Sequence, residues 1–183
     1  MGFGTIDKIY LIFPKPFWTA ADNWGGHSFV FNTSNPSPDW SASILGFYTV
    51  RNQPNLLEGW ITGAGARISE TLSDAVVLQK CSSLLQGAIA NQLTNSYINP
   101  TGLIRSQWAS NPYFLGSYSY PSVQSVALGV SQADLASPVQ DSKGVTRLLF
   151  AGEATNSIHY QTVHGAVESG WREADRIIQL VGK

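Results

Sequence analysis

The C-terminal segment carries a strand, a tight turn and a helix in an order that could bind an anion. Residues 147–151, RLLFA, are predicted as the strand, residues 152–155, GEAT, as the turn, and residues 163–181 as an amphipathic helix. The first turn of a helix offers unpaired backbone N–H groups and a partial positive charge, which favour a phosphate or another anion. Most strand–loop–helix units are purely structural, so the alternative interpretation is a unit without a ligand.

Lys8 is a second residue whose surroundings point beyond a structural role. Residues 5–13, TIDKIYLIF, predict a strand rich in β-branched and aromatic residues, with both faces largely apolar. The alternation of side chains places Lys8 between Ile6 and Tyr10 on one face. Such a strand is expected to be internal to a sheet, where a lysine is unusual because buried lysines are rare. The alternative is a lysine at a strand end whose amine reaches water along its own alkyl stem.

Composition argues against several classes of protein. The 183 residues include 11 basic and 12 acidic ones, so no cationic surface for a nucleic acid is expected. Cys81 is the single cysteine, and His27, His159 and His164 are scattered, so we expect neither a disulfide within the chain nor a metal site. No apolar run has the ~18 residues of a membrane span. No signal peptide or peroxisomal tail is visible, so the cytoplasm is the default location.

The chain is poor in charge for its size. Charged residues make up 13% of it, against about 25% in ordinary soluble domains, and 11% of its residues are aromatic. Either much of the chain is buried, or part of its surface is covered by something absent from this sequence. The composition is therefore a first indication of a fragment of a larger protein.

The remaining patterns predict a chain that mixes strands and helices. Ser73 is suited to cap a helix that continues to about Gln92. The apolar positions of that helix include Val77, Cys81, Leu85 and Ile89. Further strands are expected at residues 27–31, 43–51, 56–63 and 102–109. Loops are expected at residues 19–41 and 121–144, the second with one helical turn at Gln132–Leu135.

Three motifs resemble one enzyme family. The start, GFGTIDKIYLIFPKPFW, is similar to the strand that carries the active-site lysine of the flavin-containing amine oxidases. The stretch RSQWASNPYFLGSYSY resembles the segment that frames the flavin and the substrate tunnel in those enzymes. The tail, AGEATNSIHYQTVHGAVESGWREADRI, resembles their C-terminal flavin-binding segment. The residues of these motifs resemble the animal spermine oxidase and acetylpolyamine oxidase branch best, and the lysine-specific histone demethylases more distantly.

The resemblance also shows what this sequence lacks. Family members are much longer and begin with a βαβ unit that carries G-x-G-x-x-G. Here Gly2-x-Gly4 and Gly63-x-Gly65 lack the third glycine, and neither is expected to join a strand to a helix as the motif requires. The implied fold class is α+β. Residues 1–146 would be a mixed-sheet portion of the substrate domain, and residues 147–183 the last strand and helix of a Rossmann-like FAD-binding domain whose N-terminal βαβ unit is missing.

The resemblance assigns roles near the reacting atoms. Lys8 matches the lysine that holds a water against the reactive flavin nitrogen, where an apolar setting is expected to lower its pKa. Trp108 matches a flavin-side aromatic residue. Tyr118 matches the first wall of the aromatic cage that guides the amine, and Thr162 the second cage position, where threonine removes the wall. Ser117 stands where monoamine oxidases carry the flavin-bonded cysteine, so any FAD is expected to be held non-covalently.

Further residues are expected to bind the cofactor. Gly152 and Glu153, in the GEAT turn, match residues that approach the ribityl and phosphate region of FAD. Thr162 and Val163 open the last helix, whose N–H groups would point at the pyrimidine ring of the flavin. Gln124 departs from the family, which has a glycine there, and is expected to hinder close backbone approach or a positive φ.

The implied activity is FAD-dependent oxidation of a polyamine. Hydride transfer from spermine or an acetylated polyamine would give an aldehyde, a shorter amine and, with oxygen, hydrogen peroxide. The motifs do not distinguish among these polyamines. The missing N-terminal portion would be a required partner, so the chain alone is expected to be inactive. Two alternatives remain: a non-catalytic truncated family member or binding remnant, and a histone-lysine demethylase.

Overall fold

The computed structural model describes residues 1–19, 22–31, 39–89 and 92–182. The chain forms two compact units. One is Thr5–Ser117, and the other joins Met1–Gly4 to Tyr118–Lys183. The domain boundary expected at residues 146 and 147 lies inside the second unit and stays a prediction.

Nine strands and five α-helices are assigned among the described residues. The strands are β1 (Gly2–Gly4), β2 (Ile6–Ile12), β3 (Gly26–Ser28), β4 (Ile44–Val50), β5 (Gln53–Thr62), β6 (Gly102–Arg105), β7 (Tyr118–Tyr120), β8 (Val139–Gln140) and β9 (Thr146–Leu148). The helices are α1 (Gly63–Glu70), α2 (Asp74–Ile89), α3 (Val123–Ala127), α4 (Gln132–Leu135) and α5 (Val163–Val181). The loop predicted at residues 19–41 includes residues 20–21 and 32–38, which lie outside the described residues.

The unit Thr5–Ser117 is built on a five-stranded antiparallel sheet. Its order is β3-β4-β5-β2-β6, so β2 is an internal strand, as its apolar pattern predicts. The register sets Lys8 opposite Trp60 and Tyr10 opposite Glu58 on β5. Strand β6 ends at Arg105 rather than at residue 109, because the residues that follow leave the ladder and bond to side chains instead.

The core of this unit lies between one face of the sheet and helix α2. Alternate residues of β2, including Ile9 and Leu11, are fully buried. Helix α2 buries the apolar stripe predicted from its 3.6-residue period, at Val77, Cys81, Leu85 and Ile89. The face of β2 that carries Ile9 and Leu11 is therefore buried, and Lys8 lies on the opposite face.

The glycine pair at 63 and 65 corrects one expectation. It does join a strand to a helix, because β5 ends at Thr62 and α1 begins at Gly63. Strand β5 is antiparallel to both of its neighbours, so the turn is not part of the parallel βαβ unit that binds dinucleotides. Gly65 serves packing, since a Cβ there would collide with Ser43 and with the carbonyl of Trp40.

The second unit contains two small antiparallel pairs and a long helix. Strand β1 pairs with β7, and β8 pairs with β9. The strand predicted at residues 147–151 is shorter, at Thr146–Leu148, because β8 is its only partner within the described residues. Helix α5 runs from Val163 to Val181, as its pattern predicts.

Helix α5 buries its small and polar side. Gly165, Ser169 and Glu173 are buried, whereas Trp171 is 67% exposed and Ile178 is 64% exposed. The apolar side of α5 is therefore largely uncovered by the described residues. In the part of the chain that the structure describes, no helix is long and apolar enough to cross a membrane.

Candidate functional site

Lys8 lies on the open face of β2 and is held by residues of β5. Its Nζ is 2.6 Å from Glu58 Oε1 and 4.5 Å from the centre of the Trp60 ring. The Tyr10 hydroxyl donates to the same Glu58 oxygen over 2.8 Å. The Lys8 side chain is 41% exposed and that of Glu58 is 21% exposed, so the pair is only partly shielded from water.

The electrostatics of this cluster shift the pKa of Lys8 in the direction opposite to the expected one. The hydrogen bond with Glu58 raises the pKa of Lys8 above its ordinary value and outweighs partial burial, which acts in the other direction. Burial opposes the charged form of Glu58, but the bonds from Lys8 and Tyr10 hold its pKa below the ordinary value. Lys8 is thus an ammonium group at neutral pH, and the expectation of a lowered pKa is wrong.

Glu58 was not predicted as a site residue. The predicted strand at 56–63 places Glu58 and Trp60 on one face, which is the available signal in the sequence. Their meeting with Lys8 depends on the β2–β5 register, which the alternation of side chains alone does not set.

Replacing Glu58 with Gln is expected to lower the pKa of Lys8. The substitution removes the ion pair, while the partial burial that disfavours the ammonium form remains. The pKa can be measured from the pH titration of the Lys8 Cε resonance in ¹³C-lysine-labelled protein. Glu168→Gln, which removes a carboxylate bonded to His159, is the matched control and should leave Lys8 unchanged. An equal or higher Lys8 pKa in Glu58→Gln would contradict this account.

Trp108 and Ser117 belong to the same unit as Lys8. The Trp108 backbone N–H donates to Asp7 Oδ1 over 3.2 Å, and its ring meets Phe114 edge-on with centroids 5.1 Å apart. The Ser117 hydroxyl accepts from the Ile6 N–H and donates to the Ile6 carbonyl, each over 2.8 Å. Ser117 thereby extends the edge of β2, and its oxygen cannot form the thioether of a covalent flavin.

The other predicted residues lie in the second unit. Tyr118 pairs with Gly4 in the β1–β7 ladder. The Glu153 carboxylate accepts from the Ser119 N–H (3.1 Å), the Ser119 hydroxyl (2.9 Å) and the Gln161 N–H (2.7 Å). A carboxylate with three donors needs no ligand to be satisfied. Glu153 therefore ties β7 to the loop before α5, a role that its place in the turn did not predict.

Thr162 and Val163 form the start of α5. The Thr162 Oγ1 accepts from the Gly165 N–H over 3.0 Å and donates to the His159 carbonyl over 2.6 Å, so Thr162 is the N-cap. Val163 is 84% exposed. The first turn of α5 therefore faces open space, with its partial positive charge available to an anion.

Two glycine positions bear on the fit of a flavin. Gly152 has φ +146°, a conformation that favours glycine, and none of the described atoms lies within 4 Å of a Cβ built there. The Gly152 N–H already donates to Ser169 Oγ over 2.8 Å, so Gly152 offers space rather than a donor, and the exposed start of α5 is the part that suits an anionic cofactor. Gln124 lies within α3 and is not among the residues with positive φ, so the expected backbone strain is absent there.

Known proteins resemble this chain along nearly its whole length. The family model described as flavin containing amine oxidoreductase matches residues 1–178. The chain is 39% identical to a peroxisomal N(1)-acetyl-spermine/spermidine oxidase of Bos taurus and 35% identical to the one of Homo sapiens; each alignment covers 98% of this chain and 36% of the relative. A possible lysine-specific histone demethylase 1 of Drosophila melanogaster is 35% identical over 97% of this chain and 19% of its own length.

Solved structures show the same fold. A putrescine oxidase bound to putrescine matches this chain with a TM-score of 0.61 at 19% identity. The match covers 96% of this chain and 35% of the putrescine oxidase. Cyclohexylamine oxidase from Brevibacterium oxydans matches this chain with a TM-score of 0.62 at 19% identity. The match covers 98% of this chain and 36% of the cyclohexylamine oxidase.

The present chain spans about a third of the length of the curated oxidases that it matches. The α+β fold class, the family resemblance and the FAD cofactor predicted from the motifs are confirmed. On the match across residues 1–178, the chain belongs to the flavin-containing amine oxidoreductase family.

Proposed function

We propose that this chain is part of an FAD-dependent oxidase of polyamines, either spermine or acetylated polyamines. The observation that carries the proposal is the 39% identity to the bovine acetyl-spermine/spermidine oxidase over 98% of the chain. The Lys8 cluster supports it, because a positioned ammonium group lies on the strand that resembles the family's lysine strand.

The residues of this chain would hold the cofactor and the amine. Gly152, Thr162 and Val163 would border FAD, with the exposed first turn of α5 offering N–H groups to the anionic parts of the cofactor. Glu153, whose carboxylate is already bonded to Ser119 and Gln161, would contribute to the FAD site by holding the loop before α5 in place. When bound, FAD would accept a hydride from the carbon beside the amine nitrogen, and oxygen would take the two electrons to form hydrogen peroxide.

Other residues would act on the substrate side. Tyr118 would attract the cationic stem of the polyamine through its ring, and Trp108 would border the flavin. Thr162, whose hydroxyl caps α5, leaves the second cage position without an aromatic wall. Lys8 would hold its proton at Nζ against Glu58 and present an ammonium group to a water or to oxygen. The imine product would then hydrolyse to an aldehyde and a shorter amine.

The partner that completes the site would be the N-terminal FAD-binding portion found in the longer relatives. The uncovered apolar side of α5, with Val167 and Trp171 exposed, supports this assignment. The low charge of the chain also fits a surface that another segment covers. The default cytoplasmic location stays a prediction, and the similarity to the peroxisomal oxidase of Bos taurus supports a peroxisomal location as its alternative.

Two alternatives compete with a polyamine oxidase. The 35% identity to the Drosophila demethylase favours a histone-lysine demethylase, against which the balanced charge of this chain argues. A non-catalytic family member would lack both activities and bind no flavin.

An assay of the full-length protein separates these possibilities. Peroxide release is expected with spermine, N1-acetylspermine or N1-acetylspermidine, and not with a methylated histone H3 peptide. Peroxide from the peptide alone would assign the demethylase. A colourless purified protein that releases no peroxide from any of these substrates would assign the non-catalytic alternative.

A further inference from the structure

Two buried carboxyl groups meet beneath the Trp108 segment. Asp7, on the core face of β2, is 1% exposed, and Glu70, the last residue of α1, is 9% exposed. The two carboxyl groups bind adjacent residues of one segment, Trp108 and Ala109, and each acts on the pKa of the other. Two charges of the same sign at this depth would be costly, because burial removes the water that screens them.

The partners of Glu70 identify it as the charged member. Its Oε1 accepts from the Ala109 N–H over 2.8 Å, and its Oε2 accepts from the Ser110 N–H over 2.6 Å. Two backbone donors, one on each oxygen, favour the carboxylate over the acid. Glu70 therefore has both oxygens available as acceptors for a further donor.

The partners of Asp7 are arranged differently. Its Oδ1 accepts from the Ser106 hydroxyl over 2.8 Å and from the Trp108 N–H over 3.2 Å. Its Oδ2 is buried, and no N–H or O–H group of the described residues donates to it. An ionised Asp7 would leave that oxygen without a partner beside a negative neighbour. A proton on Oδ2 removes both problems, because the acid can donate to Glu70.

We propose that Asp7 and Glu70 share one proton and act as a positioning pair that holds the segment at 106–110, and with it Trp108, against β2. The pair binds three consecutive backbone N–H groups of that segment, at Trp108, Ala109 and Ser110. It also reaches Lys8, because the Ser106 hydroxyl that donates to Asp7 accepts from the Lys8 N–H over 2.9 Å.

The titration of Asp7 agrees with this assignment. Burial raises the pKa of Asp7 to about 6, and the contact with Glu70 acts in the same direction, against the bonds from Ser106 and Trp108. Although burial opposes it, the bonds from the Ser110 and Ala109 groups hold the pKa of Glu70 below its ordinary value.

The other charged groups near the Asp7–Glu70 pair form ion pairs and hydrogen bonds with other residues. Lys8 lies on the opposite face of β2 and pairs with Glu58. Arg105, on β6, donates to Asp74 and to the carbonyls of Ser69, in α1, and Leu72, in the turn after it. Because the folded pKa of Asp7 is raised, its proton stabilises the fold fully below the ordinary pKa, and this contribution is lost as the pH rises through about 6.

Conservative variants distinguish proton sharing from simple acceptance. Asn at position 7 keeps the oxygen that accepts from Ser106 and carries a permanent N–H donor for Glu70. Gln at position 70 turns one acceptor into a donor that faces a backbone N–H. We therefore expect Asp7→Asn to be tolerated and Glu70→Gln to be harmful, whereas two ordinary carboxylates would suffer equally.

Hydrogen exchange of the full-length protein tests the positioning role. After correction for the intrinsic exchange rate, peptides covering 106–110 should exchange faster above pH 6 than below it in the wild type, and equally slowly at both in Asp7→Asn. Glu70→Gln should raise their exchange about tenfold or more at every pH. Fast exchange in Asp7→Asn, or no pH effect in the wild type, would overturn the proposal.

An infrared measurement on the wild-type protein determines whether Asp7 carries a proton, so the test does not depend on a variant that folds. Wild-type protein labelled with ¹³C-aspartate should show one carboxylic-acid band at pH 5 that disappears above pH 6. The band should be absent from Asp7→Asn and present in Asp175→Asn, which removes an exposed aspartate of α5. A wild-type protein without this band overturns the shared proton. The consequence for Trp108 in catalysis rests on the proposed function, but neither measurement requires activity, so the two can fail separately.

Discussion

The 183 residues alone are expected to bind FAD about a thousandfold more weakly than the full-length protein and to release no hydrogen peroxide from spermine. In the proposed whole protein, a βαβ unit outside these 183 residues would cradle the cofactor phosphates. Charge-assisted hydrogen bonds to phosphate contribute about 1.5–3 kcal/mol each. Loss of two or three of them lowers affinity by a factor on the order of a thousand or more.

The structure gives this prediction a second basis. The apolar side of α5 is uncovered along the helix, from Val167 to Ile178, and β9 pairs with β8 alone among the described strands. Exposed apolar area favours association between molecules or loose packing. We therefore expect the isolated chain to be poorly soluble or loosely packed in its second unit.

Calorimetric titration with FAD measures the affinity directly. The full-length protein is the reference, and the isolated unit Thr5–Ser117 is a control that lacks the start of α5. Sub-micromolar binding by the 183 residues, or peroxide on addition of spermine, would show instead that they form a minimal enzyme.

Lys8→Met in the full-length protein is expected to slow flavin reduction or its reoxidation by about tenfold to a hundredfold, while the fold is retained. Lys8 is proposed here as the flavin-side lysine, and methionine removes its proton and charge while keeping an unbranched stem. Because the Lys8 side chain is 41% exposed, its pair with Glu58 contributes about 1 kcal/mol or less to stability.

Stopped-flow absorbance of the flavin separates the two half-reactions of Lys8→Met. Lys143→Met, at an exposed lysine of the second unit, is the matched control and should behave as the wild type. Thermal unfolding of both variants checks that the fold is intact. Unchanged rates in both half-reactions would remove Lys8 from the catalytic residues.

The titration of Asp7 gives a related expectation for stability. The folded pKa of Asp7, about 6, lies above its ordinary value of 3.8, because burial and the contact with Glu70 disfavour its charge. The free energy of unfolding should therefore lose the contribution of this proton as the pH rises through about 6. The same measurement on Asp7→Asn should lack this contribution.

The sequence by itself determined the local structure and the family. Alternation predicted β2 as an internal strand, and the 3.6-residue period predicted α5 and the buried stripe of α2. These patterns are readable because one buried face repeats along a single element. The three motifs identified the flavin-containing amine oxidases, since each keeps its residue types at fixed spacing.

Only the tertiary structure decided how the polar residues meet. The pKa of Lys8 rises because Glu58, from another strand, faces it across the β2–β5 register. The Asp7–Glu70 pair joins a strand to the end of a helix 63 positions away in sequence, through a loop that leaves the sheet after Arg105. Charge and protonation depend on burial and on neighbours brought together by folding, and no periodicity within one segment records either of them.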